Sequence, residues 1–472
     1  MVSTIAWDEI GPLLRLTLPI FLSLMSFFGL SMTELIVAGH LGTIEFTAVA
    51  FSQLVLDFTL IIFTQGFNKG LDALASQAFG AKNYALIGLY TQKCCICLTL
   101  ACFPIAVLWW YCADALAMVA DISPQSIDLA RVYARLSIVW LWPRLMFQAE
   151  TVFFQVQQIV LPSAVFSVLA VIFNALLSVS LVYGVDFLNF SGIGFIGCPI
   201  SMIITQYSRL IVYTFYMTSY RGLHRQAWAW SFDFLDLHYF KTLVSVGAPL
   251  MLGQAFENAQ FQTMAIFASM CSEISLDAHN ATMQLVFFLT SPIYGLQNAG
   301  VNRIGMYLGA GDAAKAKDLS HLLFACIVFM SVVIAIPWML SRHYIGMLYS
   351  NDQKVVDTMA NITIIAAGGY VALSVFYYSM AVLRSQARAL PVMAAFVCGA
   401  WLIGVPSAYA LGIAAKWGIV GVWIGMALGY LATTTIGFYY VYHSNWSSEA
   451  EKAVERSAMK KKQNALETTK LL

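Results

Sequence analysis

Among the ionisable side chains within long apolar runs of this sequence, Glu34, Asp57, Asp72, Glu150, Glu257 and Arg303 are the most informative. A charge at the centre of a membrane-spanning helix costs at least about 2.5 kcal/mol even on lenient insertion scales, so such a residue faces a protein interior or a wet cavity. Glu257 is the plainest case. It lies near the middle of residues 247–270, GAPLMLGQAFENAQFQTMAIFASM, a stretch longer than the roughly 20 apolar residues a span needs. Gln254, Asn258, Phe261 and Gln262 sit around it at helical spacing and give one polar and aromatic face. A carboxyl group taken out of water holds its proton to higher pH, and an acid that loads and unloads near neutrality suits proton-coupled transport. Each of these groups has a plain alternative, a satisfied polar pair that locks helices together. Asp72 and Arg303, nearer the ends of their spans, fit packing or gating better.

The elements that must carry these groups follow from composition. Of the 472 residues 60% are hydrophobic and 10% charged, against about 25% charged in soluble domains. This is an integral, all-α membrane protein. A net charge of +1 is silent about partners, and no basic cluster marks a nucleic-acid surface. The first apolar run is full-length without a small-residue cleavage site behind it, so no cleavable signal peptide is expected. The nine cysteines lie mostly within apolar runs and form no CxxC pair matched by His or a second pair, which argues for packing rather than metal binding. No nucleophile–base constellation is visible, so neither an enzyme nor a cofactor is expected.

About twelve apolar spans can be counted, near residues 12–38, 46–76, 86–111, 125–156, 160–185, 192–220, 241–270, 278–308, 316–340, 355–383, 391–413 and 418–443. Pro19, Pro162, Pro249 and Pro391 are expected near helix starts, where the missing N–H costs little. Pro143 and Pro406 should kink their spans. The chain divides into an N-terminal segment 1–11, a first lobe 12–220, a connector 221–240, a second lobe 241–443 and a polar tail 444–472. Arg221, Arg225, Lys241, Lys315, Lys317, Arg384, Arg388, Lys82 and the tail's Lys460, Lys461 and Lys462 fall on one side, against Arg342, Lys354 and Lys416 on the other. By the positive-inside rule both termini and the connector are cytoplasmic, in the plasma membrane or an endolysosomal or vacuolar one. Asn189-Phe190-Ser191 is a glycosylation acceptor pattern on an outer loop.

The two lobes repeat. Pro19 pairs with Pro249 (249 − 19 = 230), Gly80 with Gly309 (309 − 80 = 229), Pro162 with Pro391 (391 − 162 = 229) and Gly194 with Gly418 (418 − 194 = 224). Six spans per copy is an even number, so both copies enter from the same side. The halves should be pseudo-symmetric about an axis along the membrane normal, around a central binding cleft. Glu257 maps back to Phe27 (257 − 230 = 27) and Glu34 forward to Met264 (34 + 230 = 264). Each half therefore has its own acid. Glu257, Glu34, Asp57 and Glu150 are the candidates for proton coupling and substrate, with Gln53, Gln254, Asn258, Phe261, Gln262, Gln284, Phe288 and Tyr377 as lining residues. Acids among aromatic faces suit a cationic, amphipathic small molecule.

After Tyr442 the chain turns polar. Ser447 and Ser448 are expected to cap a short charged helix through Lys462, in solvent or on the membrane surface. The final Glu467-Thr-Thr-Lys-Leu471-Leu472 has the form of an acidic-dileucine sorting signal.

Taken in order, several stretches resemble the multidrug and toxic compound extrusion (MATE) family: Gly39-His-Leu-Gly42, Asp72-Ala-Leu, Gln77-Ala-Phe-Gly80-Ala81, Gln158-Ile-Val-Leu-Pro162 with Asn174-Ala-Leu176, Arg303-Ile-Gly305, Leu308-Gly-Ala-Gly-Asp312 and Leu383-Arg384. They cover the twelve spans and are closer to the eukaryotic branch. The resemblance implies two six-helix lobes around a cleft, and export of organic cations or other amphipathic compounds by a monomer in exchange for H+, in some members Na+. Glu257 matches the first helix-7 glutamate of the eukaryotic pattern, and Glu34 the helix-1 acid of the bacterial branch. The sequence departs from the eukaryotic pattern at Gln262, Gln284 and Leu373, which replace acids, and at Arg384-Ser-Gln-Ala, which replaces Arg-Gly-x-Gly. A lipid-linked precursor flippase of the same superfamily is the main alternative; it would want a basic cavity, to which Arg144 and Arg209 are the candidates. A channel is the second, although no filter-like Gly-rich loop interrupts a span.

Overall fold

The computed structural model of the chain describes residues 8–119, 123–185, 189–228, 236–350 and 352–470. Residues 1–7 of the N-terminal segment, 229–235 of the connector and Leu471 and Leu472 of the dileucine signal lie outside the described residues, as do the side chains of Lys460, Lys461 and Lys462. Among the described residues the structure is helical apart from one antiparallel bridge, Val185 to Phe190. The long helices are α1 Ile10–Leu41, α2 Thr43–Gly80, α3 Tyr84–Trp110, α4 Pro124–Gln155, α5 Leu161–Tyr183 and α6 Gly197–Thr214, which runs on through a π turn at Phe215–Tyr220. They continue with α7 Leu237–Cys271, α8 Glu273–Gly309, α9 Ala313–Leu340, α10 Gln353–Ser385, α11 from Ala389–Ala395 through Ala410–Ala414, α12 Gly418–Tyr442 and α13 Trp446–Lys470. Nine of the described helices are long and apolar enough to cross a membrane. The other three expected spans are α4, α7 and α8, of 32, 35 and 37 residues. They are less apolar because they carry Glu150, Glu257 and many of the other polar side chains.

Two proline expectations are corrected. Pro19 and Pro249 lie inside α1 and α7, because both helices begin earlier. Leu13 N already bonds to Glu9 O at 2.9 Å, and the Asp236 carboxylate accepts from His238 N at 2.8 Å at the start of α7. Pro162 and Pro391 do fall in the first turns of α5 and α11. Pro406 sits between two π turns, Phe396–Gly404 and Ala410–Ala414, where the wider turn accommodates the missing donor. The tail expectation also changes. Asn445, not Ser447 or Ser448, caps α13, its Oδ1 accepting from Ser448 N at 3.2 Å. The helix packs on α8 and α9, with Ala450, Ala453 and Ser457 buried. Residues three and four apart on a helix share a face, so this small-residue stripe lets α13 lie close to its neighbours rather than in solvent.

The chain packs as two compact units. The first gathers the chain up to Leu18, Ser76–Asn83 and everything from Ser245; the second holds Pro19–Ala75 and Tyr84–Val244. In the first, α10 packs on α8, α9 and α12, and α12 on the π segment of α11. In the second, α4 packs on α3 and α6, and α6 on α5. The division falls inside α1, α2 and α7 rather than at the connector, and glycine explains why at α2. A Cβ on Gly80 would lie 1.8 Å from Met306 O, one on Gly309 1.9 Å from Gln77 O, and one on Gly305 2.1 Å from Ser76 Oγ. Only glycine admits that approach of α2 to α8. The partners are repeat-related: 309 − 80, 306 − 77 and 305 − 76 all equal 229. The contact has the self-complementary form that a two-fold axis through it produces.

Candidate functional site

In the first unit, the polar centre is built on α7. Glu257 is buried. Gln254, one turn earlier, donates from Nε2 to Glu257 Oε2 at 2.7 Å, and Tyr377 on α10 donates its hydroxyl to Oε1 at 2.8 Å. Tyr377 is itself 2.8 Å, hydroxyl to hydroxyl, from Tyr294 on α8, and its carbonyl accepts from Gln297 Nε2 at 3.2 Å. Three helices thus converge on one carboxyl group. The Trp401 indole N–H, from the π segment of α11, bonds to Phe256 O at 2.9 Å and fixes the turn that carries Glu257. Tyr430 on α12 is buried within electrostatic reach of Glu257, its hydroxyl without a hydrogen bond among the described residues. An acid so placed has donors for the carboxylate and no need of lipid contact. A hydrogen bond to an ionised group is worth about 1.5–3 kcal/mol, enough to offset much of the burial.

The second unit holds a differently built centre. Glu34 on α1 is buried, and its Oε2 accepts from the Tyr133 hydroxyl on α4 and, at 3.4 Å, from Gln53 Nε2 on α2. Glu34 Oε1 has no hydrogen bond among the described residues. One helical turn along α2 from Gln53 lies Asp57, which faces Arg144 of α4 at 3.9 Å. That separation is an ion pair without a hydrogen bond. The Arg144 guanidinium lies over the Phe27 ring at 4.1 Å and the Trp140 ring at 5.2 Å. Glu150 on α4 belongs to a separate pair: Thr214 donates to its Oε2 at 2.6 Å. Arg209 lies over Phe147 at 3.7 Å and donates to Ser167 at 2.5 Å.

The lining candidates divide. Gln53, Gln254 and Tyr377 touch the acids directly, as above. Phe261 is buried edge-on against Phe287, with ring centroids 5.3 Å apart. Asn258 turns back to its own helix, donating to Gln254 O at 2.8 Å. Gln262, Gln284 and Phe288 are exposed. Five residues rotate a helix by about 140°, so Gln262 points away from the face of Glu257. Arg303 binds Glu9 through Nε at 3.0 Å and through Nη2, and Tyr307 donates to the same carboxylate at 2.5 Å. This triad holds α8 to the start of the chain. Sequence reasoning did not single out Tyr133, Trp140, Trp401 or Tyr430. Each is an aromatic in an apolar span, and only the polar end distinguishes it from a packing residue.

The MatE family profile matches residues 19–180 and 249–410. The chain is 26% identical over 452 residues to multidrug and toxin extrusion protein 1 of Danio rerio, covering 96% of this chain and 75% of that one. It is 24% identical over 454 residues to the Homo sapiens protein of that name, covering 96% and 78%. Among solved structures, the eukaryotic MATE transporter AtDTX14 superposes with a TM-score of 0.88 at 22% identity, covering 96% of this chain and 99% of that one. The Vibrio cholerae MATE transporter VcmN in the bent form gives 0.81 at 16%, covering 97% and 99%. These structural likenesses concern the fold. The family profile matches the chain twice, at an offset of 230 (249 − 19), the same spacing that separates Pro19 from Pro249. The chain belongs to the MatE family, a multi-pass membrane transporter and not an enzyme.

Proposed function

We propose that the chain is a secondary active antiporter that exports organic cations or other amphipathic small molecules in exchange for protons, by alternating access, with Glu257 as the exchanging acid. The observation that carries this reading is Glu257 itself: a buried carboxyl on a long membrane helix, bonded by Gln254 and Tyr377. A carboxyl group held by such neutral donors can pair with a cation when ionised and carry a proton when neutral. Tyr294 and Tyr377 supply aromatic faces beside it, to which a cation is attracted when the acid is ionised. Proton and cation then compete for one carboxylate, which is the coupling. Both relatives named above are multidrug and toxin extrusion proteins, in keeping with small-molecule export. Glu34 contributes coupling from the second unit. The chain works as a monomer with both termini cytoplasmic; its halves, 12–220 and 241–443, are pseudo-symmetric, and that last part is supported by the doubled family match and the self-complementary glycine contact. For a lipid-linked precursor flippase, Arg144 and Arg209 would need to be open to a pyrophosphate; instead they engage Asp57 and Ser167.

The test is Glu257→Gln in proteoliposomes. The amide keeps size and hydrogen bonding, is cheaper to bury than a carboxylate, and cannot ionise. The variant should insert normally and lose uptake of a labelled organic cation driven by a pH gradient. Near-normal proton-driven exchange by properly inserted Glu257→Gln would sink the reading.

A further inference from the structure

We propose that Arg144 is a resident cation that keeps metal ions out of the acidic centre of the second unit, and so selects the proton over sodium as the ion that centre can accept. The inference rests on the antiport reading above and deepens it. Glu34 and Asp57 place two carboxyl groups on adjacent membrane helices, an arrangement that could hold a monovalent metal ion. The structure already supplies a positive charge there. Arg144 comes from α4, stands 3.9 Å from Asp57 and is held over Phe27 and Trp140. It is also within electrostatic reach of Glu34. The other charged or titratable groups that bear on it are Tyr133, which holds Glu34, and Arg209, whose like charge acts at longer range.

Three features make Arg144 a fixed charge rather than a passing partner. A guanidinium cannot be deprotonated in a protein, so it is positive whatever the state of the acids. It is buried, and two aromatic faces grip it without consuming its N–H groups; Nη2 makes no hydrogen bond among the described residues. Its contact with Asp57 is longer than a hydrogen bond, so Asp57 neutralises it without being clamped. A sodium ion entering between Glu34 and Asp57 would meet this charge in a medium that screens poorly. It would also find few ligands. Hard cations need several converging oxygens, but Glu34 Oε2 is taken by Tyr133 and Gln53. Among the described residues no group of acids, histidines and cysteines could hold a metal. A proton needs one oxygen, and Glu34 Oε1 is free of hydrogen bonds among the described residues.

The experiment measures melting of the purified full chain in sodium chloride against N-methyl-D-glucamine chloride at equal ionic strength. Wild type and Arg144→Lys should melt alike in both salts. Arg144→Gln should gain a sodium-specific stabilisation, reflecting a rise in sodium affinity of at least about tenfold. Adding Asp57→Asn to Arg144→Gln should remove that gain, which a merely structural Arg144 would not do. Sodium stabilisation of the wild type, or an Arg144→Gln protein indifferent to sodium, overturns the proposal. If Arg144→Gln cannot be purified, Arg144→Met carries the same melting test: a sodium-specific stabilisation supports the proposal, and indifference to sodium overturns it. Melting needs no transport, so a failure of the Glu257 reading registers separately.

Discussion

Glu257 and Glu34 are both buried carboxyl groups on helices that begin a repeat, and both bind one glutamine and one tyrosine. The likeness ends with their surroundings. Glu257 is clasped at both oxygens, by a glutamine of its own helix at 2.7 Å and by a tyrosine that a second tyrosine holds. Among the described residues Glu34 is bound at one oxygen only, its glutamine contact is 3.4 Å, and a guanidinium and a second acid stand nearby. An acid clasped at both oxygens by neutral donors and an acid with a guanidinium and a second carboxyl group beside it are different arrangements. The repeat supplied the same scaffold twice, and each half filled it with its own chemistry. Phe27 occupies the position equivalent to Glu257, and it serves as a face for Arg144.

The largest expected effect separates the two acids by transport. Glu257→Gln should abolish pH-driven uptake, whereas Glu34→Gln should reduce it and leave a measurable remainder, because Arg144 can still balance Asp57. Equal losses in the two variants, measured in the same vesicles at matched protein density, would show that the two acids act as one unit.

A smaller effect is expected from the tyrosines. Tyr377→Phe removes a hydrogen bond to Glu257 and the link to Tyr294 together. Tyr133→Phe removes one bond to Glu34 and a weak 3.4 Å contact from Gln53 but leaves the charge balance intact. Leaving a buried acceptor unmet costs about 1–3 kcal/mol. Tyr377→Phe should therefore lower the melting temperature more than Tyr133→Phe. The reverse order would mean that the Glu34 centre is the more tightly built.

The glutamines should sharpen the same contrast at lower amplitude. Gln254→Ala loses a 2.7 Å bond, and Gln53→Ala a 3.4 Å one shared with Ser31 O and Tyr133. Hydrogen bonds weaken with length and misalignment, so Gln254→Ala should cost about 1 kcal/mol and Gln53→Ala less. Denaturation of the two variants under one set of conditions checks the order, and indistinguishable curves would remove this support.

Much of this was legible in the sequence, and the rest had physical reasons for being hidden. Apolar runs of span length announce helices, so the class and most span positions follow from hydropathy alone. Repeat spacings of 229 and 230 pointed to two copies, and the family profile recovers the same offset. Glu257 stood out because a carboxyl in an apolar run has few innocent explanations. Helix starts were less visible: Asp236 caps α7 well before Pro249, and capping depends on where one side chain turns. The Gly80–Met306 and Gly309–Gln77 approaches needed a tertiary crossing to give their glycines a meaning. Tyr133 lies 99 residues from Glu34, and no local pattern joins them. From the sequence Arg144 reads only as a charge without a partner in view, because a guanidinium's role depends on which acid and which rings it meets.

The smallest effect is expected at Gln262, and it bears on how the first unit's centre is bounded. Helical spacing put Gln262 in the same group as Gln254, Asn258 and Phe261, and it stands where the eukaryotic pattern has a second acid. In the structure it is exposed, while Glu257 one turn and a residue earlier is buried. Exposed substitutions away from caps, charges and packing change stability by about 0.5 kcal/mol or less, so Gln262→Ala should melt and transport like wild type. Gln262→Glu is the more telling variant. If the centre is bounded by Gln254, Tyr377 and Tyr294, an acid at 262 lies outside it and leaves the rate and pH profile of exchange unchanged. If Gln262→Glu instead raises organic-cation uptake or alters the number of protons exchanged per substrate, the face that works during transport includes position 262. The centre in this unit would then extend beyond the residues that hold Glu257.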